Sequence, residues 1–229
     1  MKLHPLVISI REELESLPRK PEFTAKIIPG AGLIYGNKNP DMRKIAKRIA
    51  KGDYKEYLNN NPQEYYEERM IQAFVIGYAR DEFSVLLDFF EKEIPYVNNW
   101  AVNDALCMDF KQCRKHKAET IALLRKYVHS SKEYEIRVVA VMLMAHFIDD
   151  EYIDEVMSIL NTLKTDDYYA MMAVAWCAAE IMCKNREWGF NYLSTCTLDN
   201  RTYNKAIQKM RESYRVTQED KDLLKSMKR

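Results

Sequence analysis

Glycine is scarce in this chain: 6 among 229 residues, with 7 prolines and no Gly/Ser/Pro-rich linker. Such a chain has few places to turn sharply or to run as a flexible tether, which argues against two domains joined by a linker and for one domain over 1–229. Histidine is scarcer still, with 4, and the five cysteines Cys107, Cys113, Cys177, Cys183 and Cys196 form no CxxC pair. These spacings match no zinc pattern, so no metal site is expected. An odd number of thiols, most of them in apolar helical patterns, reads as reduced core cysteine in a cytoplasmic protein. No apolar run is long enough to span a membrane, and acidic residues come too early for a secretory signal. A surplus of charge is lacking too: the formal net charge is +1, so any polyanion would have to be held by local clusters.

What is present is helix. Hydrophobic residues make up 47% and charged residues 30%, and no segment alternates as a strand would. Short amphipathic helices are expected over Leu6–Leu14 and Glu22–Ile28, each stopped by a proline. A loop with Gly30, Gly32 and Gly36 follows. The next helix has Asn39 as N-cap, Pro40 in its first turn and Gly52 at its end. From Asp53 the pattern is helical almost throughout: Pro62–Ala79, Asp81–Ile94 with Asp81 as cap, Asn99–Cys113, His116–Tyr127, Lys132–Phe147, Glu151–Lys164, Asp167–Lys184, Arg186–Leu193, Asn200–Ser213 and Val216–Met227. The first helices of successive pairs begin near Asn99, Lys132, Asp167 and Asn200, a period of about 33 to 35 residues. Helix pairs at that period predict an all-α fold, an α-solenoid of HEAT-like helical hairpin repeats with a concave face.

Lys132–Phe147 is apolar on nearly every side, yet Arg137 sits in its middle. A guanidinium is almost never buried alone, so Arg137 either pairs with a carboxylate from a neighbouring helix or faces a groove that binds an anion. Three further costly residues occupy comparable places in the repeat: Trp100 and Asp104, four apart on one helix face, and Trp176. Each has a structural alternative. The indoles can be core filling, Asp104 a surface or capping carboxylate, and Arg137 with Asp104 a plain ion pair. Small neighbours (Ala101, Ala105, Ala173, Ala175) leave room for a ligand beside them. Basic residues cluster at Arg43, Lys44, Lys47, Arg48 and Lys51, at Lys111, Arg114, Lys115 and Lys117, and at Lys205, Lys209 and Arg211. These are either solvated faces or edges that meet phosphate.

In this order and spacing, GNKNPDMRKIAKRI, W-x-x-x-D at Trp100 and Asp104, Arg137, and A-x-x-W-x-x-x-E at Trp176 and Glu180 resemble the AlkD-like DNA alkylation repair family, the HEAT-like-repeat DNA glycosylases. The resemblance covers nearly the whole chain. It implies an N-glycosylase that hydrolyses the glycosidic bond of 3- or 7-alkylpurines in duplex DNA without base flipping, with no cofactor and as a monomer. Asp104 would stabilise the oxocarbenium-like sugar and orient water, Trp100 and Trp176 would pack on the deoxyribose and backbone, and Arg137 would hold a phosphate. Arg43, Lys44, Lys47, Lys51, Lys111, Arg114, Lys205 and Lys209 would contact DNA. The alternative is a catalytically silent member that binds branched or damaged DNA, or a protein partner. Ala101 and Ala179 stand where active members carry an acidic residue and an arginine.

Overall fold

The computed structural model describes residues 3–229, and among them the secondary structure is helical with only two isolated bridges, Arg19 to Asn37 and Leu33 to Tyr65. The chain forms two compact units, one ending at His116 and one beginning at Lys117.

The first unit contains α1 (Pro5–Ser16), α2 (Pro21–Ile27), α3 (Asn39–Lys51), α4 (Tyr54–Asn60), α5 (Tyr66–Tyr78), α6 (Phe83–Glu93) and α7 (Trp100–Asp109). Short 3-10 turns follow α6 and α7, at Ile94–Tyr96 and Lys111–Lys115. Helix α5 is its centre, packed between α3 and α7 with α6 folded back on it. That placement follows from composition: Met70, Ile71, Ala73, Phe74, Val75 and Ile76 leave no polar face, and all are buried. Two buried carboxylates in its first turn, Glu67 and Glu68, tie down neighbouring backbone. The Glu67 carboxylate accepts the backbone N–H groups of Tyr35, Gly36 and Asn37 at 2.9, 2.7 and 3.3 Å, which pins the loop between α2 and α3. Gly36 in that loop has φ +89°, and a Cβ there would lie 2.2 Å from the Pro21 nitrogen, so only glycine fits. Glu68 accepts from the N–H groups of Glu64 and Tyr65 at 2.8 and 3.1 Å and from Arg11 at 2.6 Å.

Several boundaries differ from the sequence expectation. Asn39 is the first helical residue and Lys38 the cap, without a side-chain bond. Residues 61–64 are not helical, Gln63 having φ 54°, because Glu68 ties down the N–H groups ahead of Tyr66; α5 therefore starts four residues after Pro62. Asp81 precedes the cap Glu82 and is held instead by the Tyr54 hydroxyl and by Lys55, whose Nζ is 2.6 Å away. Asn99–Cys113 breaks at Phe110 into α7 and the 3-10 turn.

The second unit contains α8 (Lys117–Arg125), α9 (Glu133–His146), α10 (Ile153–Thr162), α11 (Tyr168–Lys184), α12 (Arg186–Thr195), α13 (Asn200–Glu212) and α14 (Gln218–Ser226). Helix α11 lies between α9 and α13 and also carries α12, while α14 folds on α13. Ala170, Ala173, Ala175, Ala178 and Ala179 are all buried, and their small size lets α11 sit close to several neighbours. Cys107, Cys113, Cys177 and Cys196 are buried, Cys183 is half-buried, and none of the five is in a disulfide. No helix among the described residues is long and apolar enough to cross a membrane.

Candidate nucleic-acid interface

Helix α7 is buried on every side but one. Ala101, Val102, Asn103, Ala105, Leu106, Cys107 and Asp109 are inside, and the half-open line left over is Trp100, Asp104 and Met108, spaced four residues apart. The helix start is fixed by Asn99, whose Oδ1 accepts from the N–H groups of Ala101 and Val102 at 3.1 and 3.0 Å. The Trp100 indole is oriented by its own N–H, which donates to the Ile27 carbonyl at the end of α2 at 3.2 Å. Asp104 is half-buried one turn further on.

The second unit repeats this pattern on α11. Met172, Trp176 and Glu180 form a half-open line on a helix otherwise buried through its middle. Its first turn is anchored twice: the Tyr169 N–H donates to Glu133 Oε1 at 2.6 Å, and the Tyr169 carbonyl accepts from Arg137 Nη1 at 2.8 Å. Arg137, on α9, is only 5% exposed. From α13, the Lys209 ammonium lies 5.9 Å from the centre of the Trp176 ring. Burial lowers the Lys209 pKa from its ordinary 10.5, and the nearby Lys205 and Arg137 cations lower it further while Glu212 opposes them. Glu180 is clasped by Arg215 through two bonds of 2.6 Å. Trp100 and Asp104 therefore share one helix of the first unit. Arg137, Trp176 and Lys209 come from three successively packed helices of the second.

The basic residues divide by what they touch. Arg43 pairs with Asp109 at 3.0 and 2.8 Å and also donates to the Tyr78 hydroxyl, its guanidinium 4.1 Å over the Phe74 ring. Arg48 is bound to Glu13. Lys44 is 3.7 Å from Asp41 with its side chain 80% exposed. Lys51, Lys111 and Arg114 are exposed, and Lys205 donates to Gln208 at 2.7 Å. Lys47 lies 5.7 Å from the Tyr78 ring.

A cleft of about 730 Å³ opens in the first unit, lined by Arg43, Lys47, Tyr78, Arg80, Asp109, Lys111, Gln112 and Lys115, with Gly77 and His116 completing it. Asp109, Tyr78 and Arg80 were not foreseen in the sequence as site residues. Asp109 offers one signal: a carboxylate at a helix C-terminus opposes the helix dipole and needs a cation to hold it.

The family model of the DNA alkylation repair enzyme matches residues 10–215. The chain belongs to the DNA alkylation repair enzyme family. No curated protein matches it. The match runs through both units and takes in the second half of α1 and all of α2 to α13. For a DNA alkylation repair enzyme the substrate class is a polyanion, and with a total charge of only +1 the places where cations gather matter more than their sum.

Proposed function

We propose that this family member is an N-glycosylase that releases 3- or 7-alkylpurines from duplex DNA without flipping the base, on a single HEAT-like solenoid acting as a cytoplasmic monomer. The observation that carries the reading is that the half-open lines of α7 and α11 hold Trp100 with Asp104 and Trp176 with Glu180. On helices otherwise buried, these half-open side chains face outward, the Trp100 N–H bonded to the Ile27 carbonyl and Glu180 paired with Arg215.

The chemistry suits them. A 3- or 7-alkylated purine is already cationic and departs without a strong general acid. Positive charge then grows on the sugar, where the Asp104 carboxylate stabilises it and orients water for attack. The faces of Trp100 and Trp176 attract the same charge and pack on the deoxyribose, Lys209 offers a cation for a flanking phosphate, and Arg137, assigned to phosphate by the same reading, adds its charge from beneath the surface. HEAT-like stacking is supported by the series α3, α5, α7 in one unit and α9, α11, α13 in the other.

Release of methylated purines from alkylated duplex, measured for wild type and Asp104→Asn, tests the proposal. Release by wild type and a loss of about 100-fold or more in the variant is expected. No release by wild type at any salt concentration removes the enzyme, and equal release by Asp104→Asn removes the role of Asp104. A second reading, a catalytically silent binder of branched or damaged DNA, is favoured by one observation. Arg137, at 5% exposure and bonded to a backbone carbonyl, has little surface left for a phosphate. Binding without product is its signature.

A further inference from the structure

The cleft at the C-terminal ends of α5 and α7 gathers cations. Lys47, Arg80, Lys111 and Lys115 line it, with Arg43 and a single carboxylate, Asp109. Asp109 and Arg43 cancel each other, in contact through both carboxylate oxygens at 3.0 and 2.8 Å. Among the described residues no carboxylate lies within ion-pair distance of Lys47, Arg80, Lys111 or Lys115. Four cations around one hollow repel one another unless an anion joins them.

These cations are not all free to wave. The 3-10 turn Lys111–Lys115 is pinned beneath by Cys113, which is fully buried, and is tied at one side by Gln112, whose amide donates to the Ala79 carbonyl at 2.8 Å. The same carbonyl accepts from Arg80 at 3.2 Å, so Arg80 and Gln112 are held beside each other. The His116 ring lies flat on Phe83, with centroids 4.1 Å apart, and closes the far end of the turn. The floor is as close-fitting: a Cβ on Gly77 would meet the Asp109 carbonyl oxygen at 2.7 Å. Lys111 and Lys115 thus project from a fixed backbone, which limits the entropy lost when their exposed side chains close on a ligand.

Size and charge select that ligand. About 730 Å³ is within the range of small-ligand sites, roughly 300 to 1,000 Å³. That volume suits about one nucleotide at the end of a strand. An internal phosphodiester carries one negative charge, whereas a terminal phosphate monoester carries about 1.5 to 2 near neutral pH. We infer that this cleft binds the terminal phosphate monoester of a broken DNA strand, with Lys47, Arg80, Lys111 and Lys115 as its phosphate ligands and the Tyr78 and Gln112 side chains beside the nucleotide. The inference rests on the DNA-repair reading and adds to it a second DNA feature, a strand break.

The test compares the full-length protein on two nicked duplexes of one sequence, bearing either a 5′-phosphate or a 5′-hydroxyl at the nick, by fluorescence anisotropy at fixed salt. Wild type is expected to bind the phosphorylated nick about tenfold more tightly, as two or more charge-assisted bonds to one group require. The double variant Arg80→Ala/Lys115→Ala, whose folding is checked by its unchanged melting temperature, is expected to lose that difference. Equal affinity of wild type for both nicks overturns the proposal, as does a difference the double variant retains. A 5′-mononucleotide that displaces the protein from the phosphorylated nick at an equal concentration overturns the strand end as the source. Base release from intact alkylated duplex is measured on the same preparation. Discrimination at the nick without base release supports the cleft and removes the glycosylase; release without discrimination does the reverse.

Discussion

Arg43 and Asp109, sixty-six residues apart in sequence, meet face to face: Nη1 is 3.0 Å from Oδ1 and Nη2 is 2.8 Å from Oδ2. The pair joins α3 to the end of α7 across the last turn of α5, with Phe74 beneath the guanidinium and Tyr78 beside it. Asp109→Asn leaves a partly buried cation without its anion. Arg43 is 37% exposed, so the cost is well below the roughly 3 to 5 kcal/mol of a fully buried pair, at about 1 to 2 kcal/mol. In a double-mutant cycle by denaturant unfolding, Arg43→Met added to Asp109→Asn is expected to cost little more than either change alone. Additive losses would show that the two side chains act independently.

Glu67 holds the loop between α2 and α3 by three backbone N–H groups. Glu67→Gln replaces one acceptor oxygen with an amide that can only donate, so at least one of these N–H groups loses its partner in the interior. Amide exchange at Tyr35, Gly36 and Asn37 is expected to quicken on the order of ten- to a hundredfold while α5 stays protected. Unchanged exchange at Gly36 would mean that the loop is held by other contacts.

Elements whose evidence is local were legible in the sequence, and those whose partner is distant were not. Helical periodicity placed most helices within a few residues, and the four-residue spacing of Trp100 and Asp104 put both on the open line of α7. Pro62 looked like a helix start, but Glu68 reaches back to the N–H groups before Tyr66 and delays it. Arg137 called for an acceptor, and part of the answer is the Tyr169 carbonyl, a backbone group with no sequence signature. The stripe of Arg43, Lys47 and Lys51 read as one basic face of α3. Only the fold reveals that Arg43 is matched to Asp109 while Lys47 is left facing the cleft.

Glu93 gives the first unit a pH dependence of unusual sign. Burial pushes its carboxyl up from 4.5 to about 7, against the bonds from Gln63 and Gln72 and the charge of Arg69. The folded state therefore holds a proton that the unfolded chain has released, over a window from about pH 4.5 to 7. This contribution to stability is complete below the unfolded value and is lost as pH rises through the folded one, by up to about 3 kcal/mol. Glu93→Gln is expected to flatten urea-derived stability across that window and to equal or exceed wild type at pH 8. A wild-type curve that instead climbs from pH 5 to 7, with the variant matching it, would remove Glu93 as the cause.

Lys209 tests the assignment of α13 to the DNA-binding face. Burial, with Arg137 and Lys205 nearby, holds its ammonium below the ordinary 10.5, so it loses its proton earlier than an exposed lysine would. Between the folded and unfolded values the folded state binds fewer protons, and stability rises with pH through that interval. In 13C-lysine NMR one Cε resonance is expected to titrate with a midpoint below 10.5, to vanish in Lys209→Arg, and to move up in Arg137→Met. Duplex DNA adds the decisive arm. A phosphate beside the ammonium favours the charged form, so the midpoint moves upward on binding if Lys209 touches the backbone. A midpoint that stays put in saturating duplex places the DNA away from Trp176 and Lys209, and with it the tryptophan-lined site.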